Sequence, residues 1–223
     1  MFIVVEGLDG AGKSTQVALL RQELERRGIG TEYLHFPRFD ASVYGELIAR
    51  FLRGDLGDWD SVDPQLAALL YAGDRRCAAP QIRHWLDEGR AVVIDRYVAS
   101  NIAYQCAKES DKERKRALRE WIVDCEYVRY GIPRPDVTLF LDVPFNFTVS
   151  RLTSVRQGHD RAYLEGKNDI HEASLSLQER VRAEYIDLAA IDDTMTVVEC
   201  ADSYGNMLPE SEIFDKISQV VFR

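Results

Sequence analysis

Cysteine is scarce. The four present, Cys77, Cys106, Cys125 and Cys200, are scattered and form no C-x-x-C pair, which excludes a disulfide framework and a zinc site built on such pairs. Reduced thiols in a cytoplasmic protein are the expectation. Long apolar runs are missing as well. No stretch of 18 apolar residues occurs, so no membrane-spanning helix is expected. The first residues run directly into an apolar strand pattern, so we expect no secretory leader. Positive charge is in deficit. Lys and Arg number 28 against 37 Asp and Glu, a formal net charge of −9, which argues against nucleic acid as the main partner. There is no internal repeat, low-complexity tract or dividing linker, so residues 1–223 read as a single domain.

An acidic protein that binds anions must gather its cations locally. One stretch does so. Gly7-Leu8-Asp9-Gly10-Ala11-Gly12-Lys13-Ser14 reads G-x-x-x-x-G-K-S, between the apolar run Phe2-Ile3-Val4-Val5 and a helical pattern from Gln16 to Arg27. Strand, loop and helix in that order make a phosphate-binding loop. The glycines allow a tight turn that aims successive N–H groups at one point. The helix adds the positive end of its dipole there. Lys13 brings a full charge to the outer phosphates, and the Ser14 hydroxyl is placed to ligate Mg²⁺.

Five short runs rich in Val, Ile and Phe read as strands: Phe2–Glu6, Thr31–Phe36, Ala91–Asp95, Val137–Asp142 and Met195–Glu199. Most lack polar alternation, as strands buried on both faces do. The intervening patterns predict helices at Lys13–Arg27, Val43–Leu52, Pro64–Arg76, Pro80–Glu88, Ser100–Lys108, Lys112–Arg129, Phe145–Val155, Ile170–Leu188 and Glu210–Val221. Alternating strands and helices imply an α/β fold, a five-stranded parallel sheet with helices on both faces. Ligands bind such sheets at the carboxyl ends of the strands. Asp95 closes the third strand, where an acid commonly holds Mg²⁺ or its water. It is followed by Arg96, whose planar fork suits phosphate oxygens. The second strand ends in Phe36-Pro37-Arg38, where the proline fixes the chain and Arg38 is expected to point into the same crevice.

These pieces occur in order with Leu70-Tyr71-Ala72-Gly73-Asp74-Arg75-Arg76, then Asp95-Arg96-Tyr97-Val98-Ala99-Ser100-Asn101-Ile102-Ala103-Tyr104, then Asp169-Ile170-His171-Glu172. Together, from Met1 to about Leu188, they resemble the thymidylate kinases. The resemblance implies a P-loop kinase that phosphorylates dTMP with ATP and Mg²⁺, as a homodimer. It implies an ATP site over Gly7 to Thr15. On the substrate side it implies that Tyr71 stacks on thymine and that Arg75 and Asn101 bond the base. Tyr104 would crowd the sugar 2′ position, with Ser100 in the same stretch. Arg96 would grip the acceptor phosphate with help from Phe36-Pro37-Arg38. Asp9 would contact the 3′-hydroxyl. Asp169 and Glu172 resemble an acidic pair near acceptor and metal. Phe39 stands where several relatives have a tyrosine, which leaves the phosphate cradle short of one hydroxyl.

An acceptor that is already an ionised phosphate needs no strong base, so catalysis rests on alignment and charge. The phosphate loop itself holds no arginine beyond its lysine. The resemblance places the missing arginine in a lid, approximately residues 151–168. There we expect Arg156 and Arg161 to close over ATP, with Arg151 at the base. Other readings stay open. A GTPase is disfavoured because Gly166-Lys167-Asn168-Asp169 is not N-K-x-D. Another nucleoside monophosphate kinase, a deoxynucleoside kinase, or a regulatory protein that binds nucleotide without transfer each remain.

Overall fold

The computed structural model describes residues 1–41, 43–153 and 159–222. Strands β1 (Phe2–Gly7), β2 (Thr31–His35), β3 (Ala91–Asp95), β4 (Val137–Asp142) and β5 (Met195–Glu199) form one sheet in the order β2-β3-β1-β4-β5. Every pairing in it is parallel. Helices α1 (Lys13–Arg26) and α8 (Glu210–Val221) cover one face. Helices α3 (Pro64–Asp87), α4 (Val98–Cys106), α5 (Lys112–Val123) and α7 (Leu175–Ala189) cover the other.

Strand periodicity divides the core between these layers. Phe2 and Val4 pack with the α3–α4–α7 layer, while Ile3 and Val5 pack with α1 and α8. All four are at most 1% exposed, and each buried side chain contributes about 1.5–3 kcal/mol. That two-sided burial explains the unbroken apolar runs of the strands. The strand order reverses at β1, which has β3 on one side and β4 on the other. The crevice for a ligand therefore opens above the carboxyl ends of β1 and β3.

Some elements differ from the sequence expectation. Pro64–Arg76 and Pro80–Glu88 are one helix, α3, with Pro80 inside it. A mid-helix proline loses a hydrogen bond and crowds the preceding turn, at about 3 kcal/mol. Ala78, Ala79 and Ile82 are buried around it, and that burial keeps the helix whole. Its start matches the expectation, because the Asp63 carboxylate accepts from the Gln65 and Leu66 N–H groups at 2.8 and 3.2 Å. The helix expected over Lys112–Arg129 turns π-helical at Asp124–Arg129. The one expected from Ile170 begins at Leu175 behind Ser174, whose hydroxyl caps the Leu177 N–H.

Helix α2 (Val43–Leu52) lies against the loop after β2 through Gly45. A Cβ there would sit 2.1 Å from the Arg38 carbonyl oxygen and 2.7 Å from that of Phe39. Gly45→Ala is therefore expected to cost about 1–3 kcal/mol, read as a lower urea midpoint with an unchanged slope. An unaltered midpoint would mean that this loop yields freely.

Candidate active site

The phosphate-binding loop follows β1 directly. Gly10 and Gly12 have φ of 76° and 80°, left-handed values that side chains disfavour. Gly12 is also the N-cap of α1, and no described side chain caps that end. The first N–H groups of the helix stay available to an anion. Lys13 folds back over the loop, its Nζ donating to the Gly7 and Leu8 carbonyls at 3.2 and 3.0 Å. Burial, then the charge of Arg96, lowers its pKa from the ordinary lysine value, against the pull of Asp95, Asp9 and Glu6. Ser14 is exposed at the mouth and Thr15 is half-buried behind it.

Across the crevice stands Arg96, with φ 66°. A non-glycine residue in that region costs on the order of 1–3 kcal/mol. The neighbouring strand β1 holds it there. The Arg96 N–H donates to the Val5 carbonyl at 3.0 Å, and the next N–H, of Tyr97, donates to Glu6 at 2.8 Å. Glu6 is fully buried and also accepts from the Ser100 hydroxyl and the Tyr185 hydroxyl. The strained turn aims the guanidinium at the loop. Arg96 Nη2 donates to Asp9 Oδ1 at 2.7 Å, and Nη1 reaches the Ser100 hydroxyl at 3.3 Å. Asp9 Oδ2 accepts from the Tyr104 hydroxyl at 2.8 Å and from Gln178 at 2.9 Å. Burial pushes the Asp9 carboxyl up, but Arg96, Lys13 and these hydrogen bonds hold it well below the usual carboxylate range.

Asp9, Lys13, Ser14, Asp95 and Arg96 line one cavity of about 450 Å³. Asp95 Oδ1 is buried and finds no partner among the described residues. Burial raises the Asp95 pKa, but Lys13 and His35 outweigh it and keep the carboxyl below its ordinary value. Among the described residues no three His, Cys, Asp or Glu side chains cluster tightly enough to hold a metal alone. Magnesium asks for less: one or two carboxylates, with phosphate oxygens completing the shell. The orphaned Asp95 oxygen, the Ser14 hydroxyl and Glu172 fit that demand as hard oxygen donors.

The same cavity is also lined by Phe36, Pro37, Tyr71, Arg75, Asn101 and Tyr104. Gln105 joins them. It is fully buried, and neither end of its amide has a partner among the described residues. His171 stacks on Tyr104 at 5.1 Å. Burial, then the charge of Lys108, pushes its pKa down to about 3, so it stays neutral. Tyr163 stacks on Phe39 at 3.8 Å and donates to Asp169 at 2.7 Å. A tyrosine hydroxyl thus does border the cavity, although Phe39 supplies none.

Two expectations come out differently or fall outside. Arg38 does not line the cavity. Its Nε and Nη2 donate to Asp74 Oδ1 at 3.0 and 2.8 Å, and its N–H donates to Oδ2 at 2.8 Å. Asp74 is fully buried, and an unpaired buried charge is costly, so the nearest cation is drawn to it. Arg156 lies outside the described residues, as does the side chain of Arg161. Arg151 lies on helix α6 (Phe145–Thr153), 5.1 Å over the Phe147 ring. Glu6, Asp74, Gln105, Glu126 and Gln178 were not picked out from sequence. Glu6 had a signal, an acid closing an apolar strand. The others sit in ordinary helical patterns.

Residues 5–209 match the family described as thymidylate kinase. The chain belongs to the thymidylate kinase family. Among its relatives, the thymidylate kinase of Mycobacterium tuberculosis strain H37Rv is 34% identical over 190 residues, covering 85% of this chain and 86% of that one. A probable thymidylate kinase of Thermococcus kodakarensis is 31% identical over 209 residues, covering 91% and 90%. The solved thymidylate kinase of Candida albicans, at 23% identity, has the same fold, with a TM-score of 0.72 over 99% of this chain and 90% of that one. This thymidylate kinase family member phosphorylates dTMP to dTDP.

Asp169 yields a prediction about stability. Burial first, then the charges of Asp9 and Glu172, raise its pKa to about 7. The unfolded chain ionises this carboxyl near 3.8, so between there and pH 7 the folded state binds more protons and stability falls as pH rises. Asp169→Asn keeps an acceptor for the His171 N–H, which now donates to Asp169 Oδ1 at 2.8 Å. The substrate-free variant should melt higher than the parent at pH 8, with the gap closing toward pH 4. A gap that does not change with pH would contradict this assignment.

Proposed function

We propose that ATP and dTMP lie phosphate to phosphate above the carboxyl ends of β1 and β3, and that transfer runs in line between them. The observation that carries this reading is the meeting of Arg96 and Asp9 at 2.7 Å, in the cavity that Lys13 also lines. Gly7 to Thr15 cradle the ATP phosphates through backbone N–H groups and Lys13. Arg96 holds the acceptor phosphate, with Phe36 and Pro37 as the wall beside it, while Arg38 is held back in its pair with Asp74. Tyr71 stacks on thymine, Arg75 and Asn101 bond its edge, and Tyr104, with Ser100 behind it, crowds the sugar. Asp9 takes the 3′-hydroxyl.

The acceptor is ionised near neutral pH, so no side chain has to remove a proton, and neutral His171 fits that demand. Positive charge around the transferring group does the catalytic work. Ser14, Asp95 and Glu172 are the oxygens we assign to Mg²⁺, which when bound neutralises charge on the β- and γ-phosphates. The lid over residues 151–168 adds Arg156 and Arg161, with Arg151 at its base. The family resemblance supports a cytoplasmic homodimer, and light scattering reads the oligomeric state.

Arg96→Ala is expected to abolish dTMP phosphorylation in a coupled assay while ATP titration stays near normal. Turnover close to that of the parent would reject the acceptor assignment. For the lid, Arg156→Ala should lower kcat by about 10³-fold, the scale of an arginine finger, with a smaller change in ATP affinity. An unchanged kcat would remove Arg156 from the mechanism.

A further inference from the structure

Glu126 has no role in the scheme above, yet it touches two residues of the base pocket. It lies in the π-helical segment Asp124–Arg129 and is 0% exposed. Local π-helix often marks a functional position. Arg75, on α3 and 2% exposed, donates to it twice: Nε to Oε2 at 2.5 Å and Nη2 to Oε1 at 2.6 Å. Asn101, on α4, donates Nδ2 to the same Oε1 at 2.9 Å and to the Ala68 carbonyl at 3.1 Å. One carboxylate thus joins three elements.

The pairing decides what the pocket wall offers. Nε and Nη2 of Arg75 are taken by Glu126, and Nη1 is outside the pair. Both acceptors near the Asn101 amide face its nitrogen, so the amide cannot flip without setting oxygen against oxygen. Asn101 Oδ1 is buried and finds no partner among the described residues. Arg75 and Asn101 both line the cavity. A guanidinium donor and an amide acceptor therefore share one wall.

We propose that Glu126 is a positioning residue for base recognition: by clamping Arg75 and orienting the Asn101 amide it presents a donor beside an acceptor. This rests on the reading that Arg75 and Asn101 bond the base. That edge complements a pyrimidine with a carbonyl beside a ring N–H, as in thymine or uracil. Cytosine presents an amino group and an unprotonated ring nitrogen there, so donor meets donor and acceptor meets acceptor. A site built on buried hydrogen bonds rejects such a mismatch strongly.

Glu126→Gln keeps the shape but sets an amide N–H₂ against an Arg75 or Asn101 donor. The expected result is a rise of about tenfold or more in the KM for dTMP, a smaller change in kcat, an unchanged KM for ATP, and a narrowed preference for dTMP over dCMP in kcat/KM. Arg75→Ala and Asn101→Ala are measured alongside. If those two raise the KM for dTMP and Glu126→Gln leaves KM and preference as in the parent, Glu126 has no positioning role and the base-pocket reading stands. If Arg75→Ala and Asn101→Ala leave it unchanged, the base-pocket reading itself fails and the proposal with it. Should Glu126→Gln not fold, two neutral pairs replace it, since apolar replacement of a buried ion pair is commonly tolerated. Arg75→Met with Glu126→Gln keeps an oxygen for Asn101, whereas Arg75→Met with Glu126→Leu does not. The first should prefer dTMP over dCMP more than the second, and equal preferences overturn the proposal.

Discussion

Burying positive charge is the constraint on which this structure depends. A kinase that brings two phosphorylated nucleotides together needs cations at the gap, and here Lys13 is 8% exposed and the Arg96 side chain 11%. A bare buried cation is costly, so each needs an opposite charge or hydrogen-bonding oxygens close by. The fold brings those partners from distant parts of the chain. Asp9 answers Arg96, Glu126 answers Arg75, and Asp74 answers Arg38. An acidic chain of net charge −9 can thus keep Lys13, Arg75 and Arg96 in one cavity, because its carboxylates hold the guanidinium groups in fixed orientations.

The same pairs set geometry. Arg96 occupies a backbone conformation that is unfavourable by itself, and Glu6 holds the segment after it through Tyr97, Ser100 and Tyr185. Glu6 thereby ties β1 to α4 and α7, so the glycine-rich loop after β1 and the helix that carries Ser100 and Asn101 are set relative to each other. Glu165 and Lys167 are tied more loosely. Arg53 pairs with Glu165, and Lys167 pairs with Asp55, at 2.9 and 2.6 Å near the surface. Such exposed pairs contribute little, because water screens them.

Much of the candidate site was legible because its chemistry is local. The glycines, Lys13 and Ser14 act through consecutive backbone positions, and Asp95-Arg96 follow a strand whose burial is written in five adjacent residues. Tyr71 and Arg75 are four apart on one helix, and Asn101 and Tyr104 are three apart on another, so each pair shares a face by helical periodicity alone. Arg38 was misplaced for the complementary reason. Its direction is set by Asp74, 36 positions away, and nothing in the Phe36-Pro37-Arg38 triplet carries that information. Pro80 misled in the same way, since the packing that keeps α3 whole comes from other elements.

From its amino acids alone this chain declares the order of strands and helices, the glycine-rich loop with Lys13, and most of the residues that line the cavity. Those follow from periodicity and short-range backbone geometry, which neighbouring residues determine. Only the tertiary structure decides the strand order that puts β3 beside β1, and with it the meeting of Arg96 and Asp9 across 87 positions. It alone decides, too, that Glu126 pairs with Arg75 from 51 positions away. Charge pairing in a low-dielectric interior depends on distance in space, and distance along the chain does not encode it.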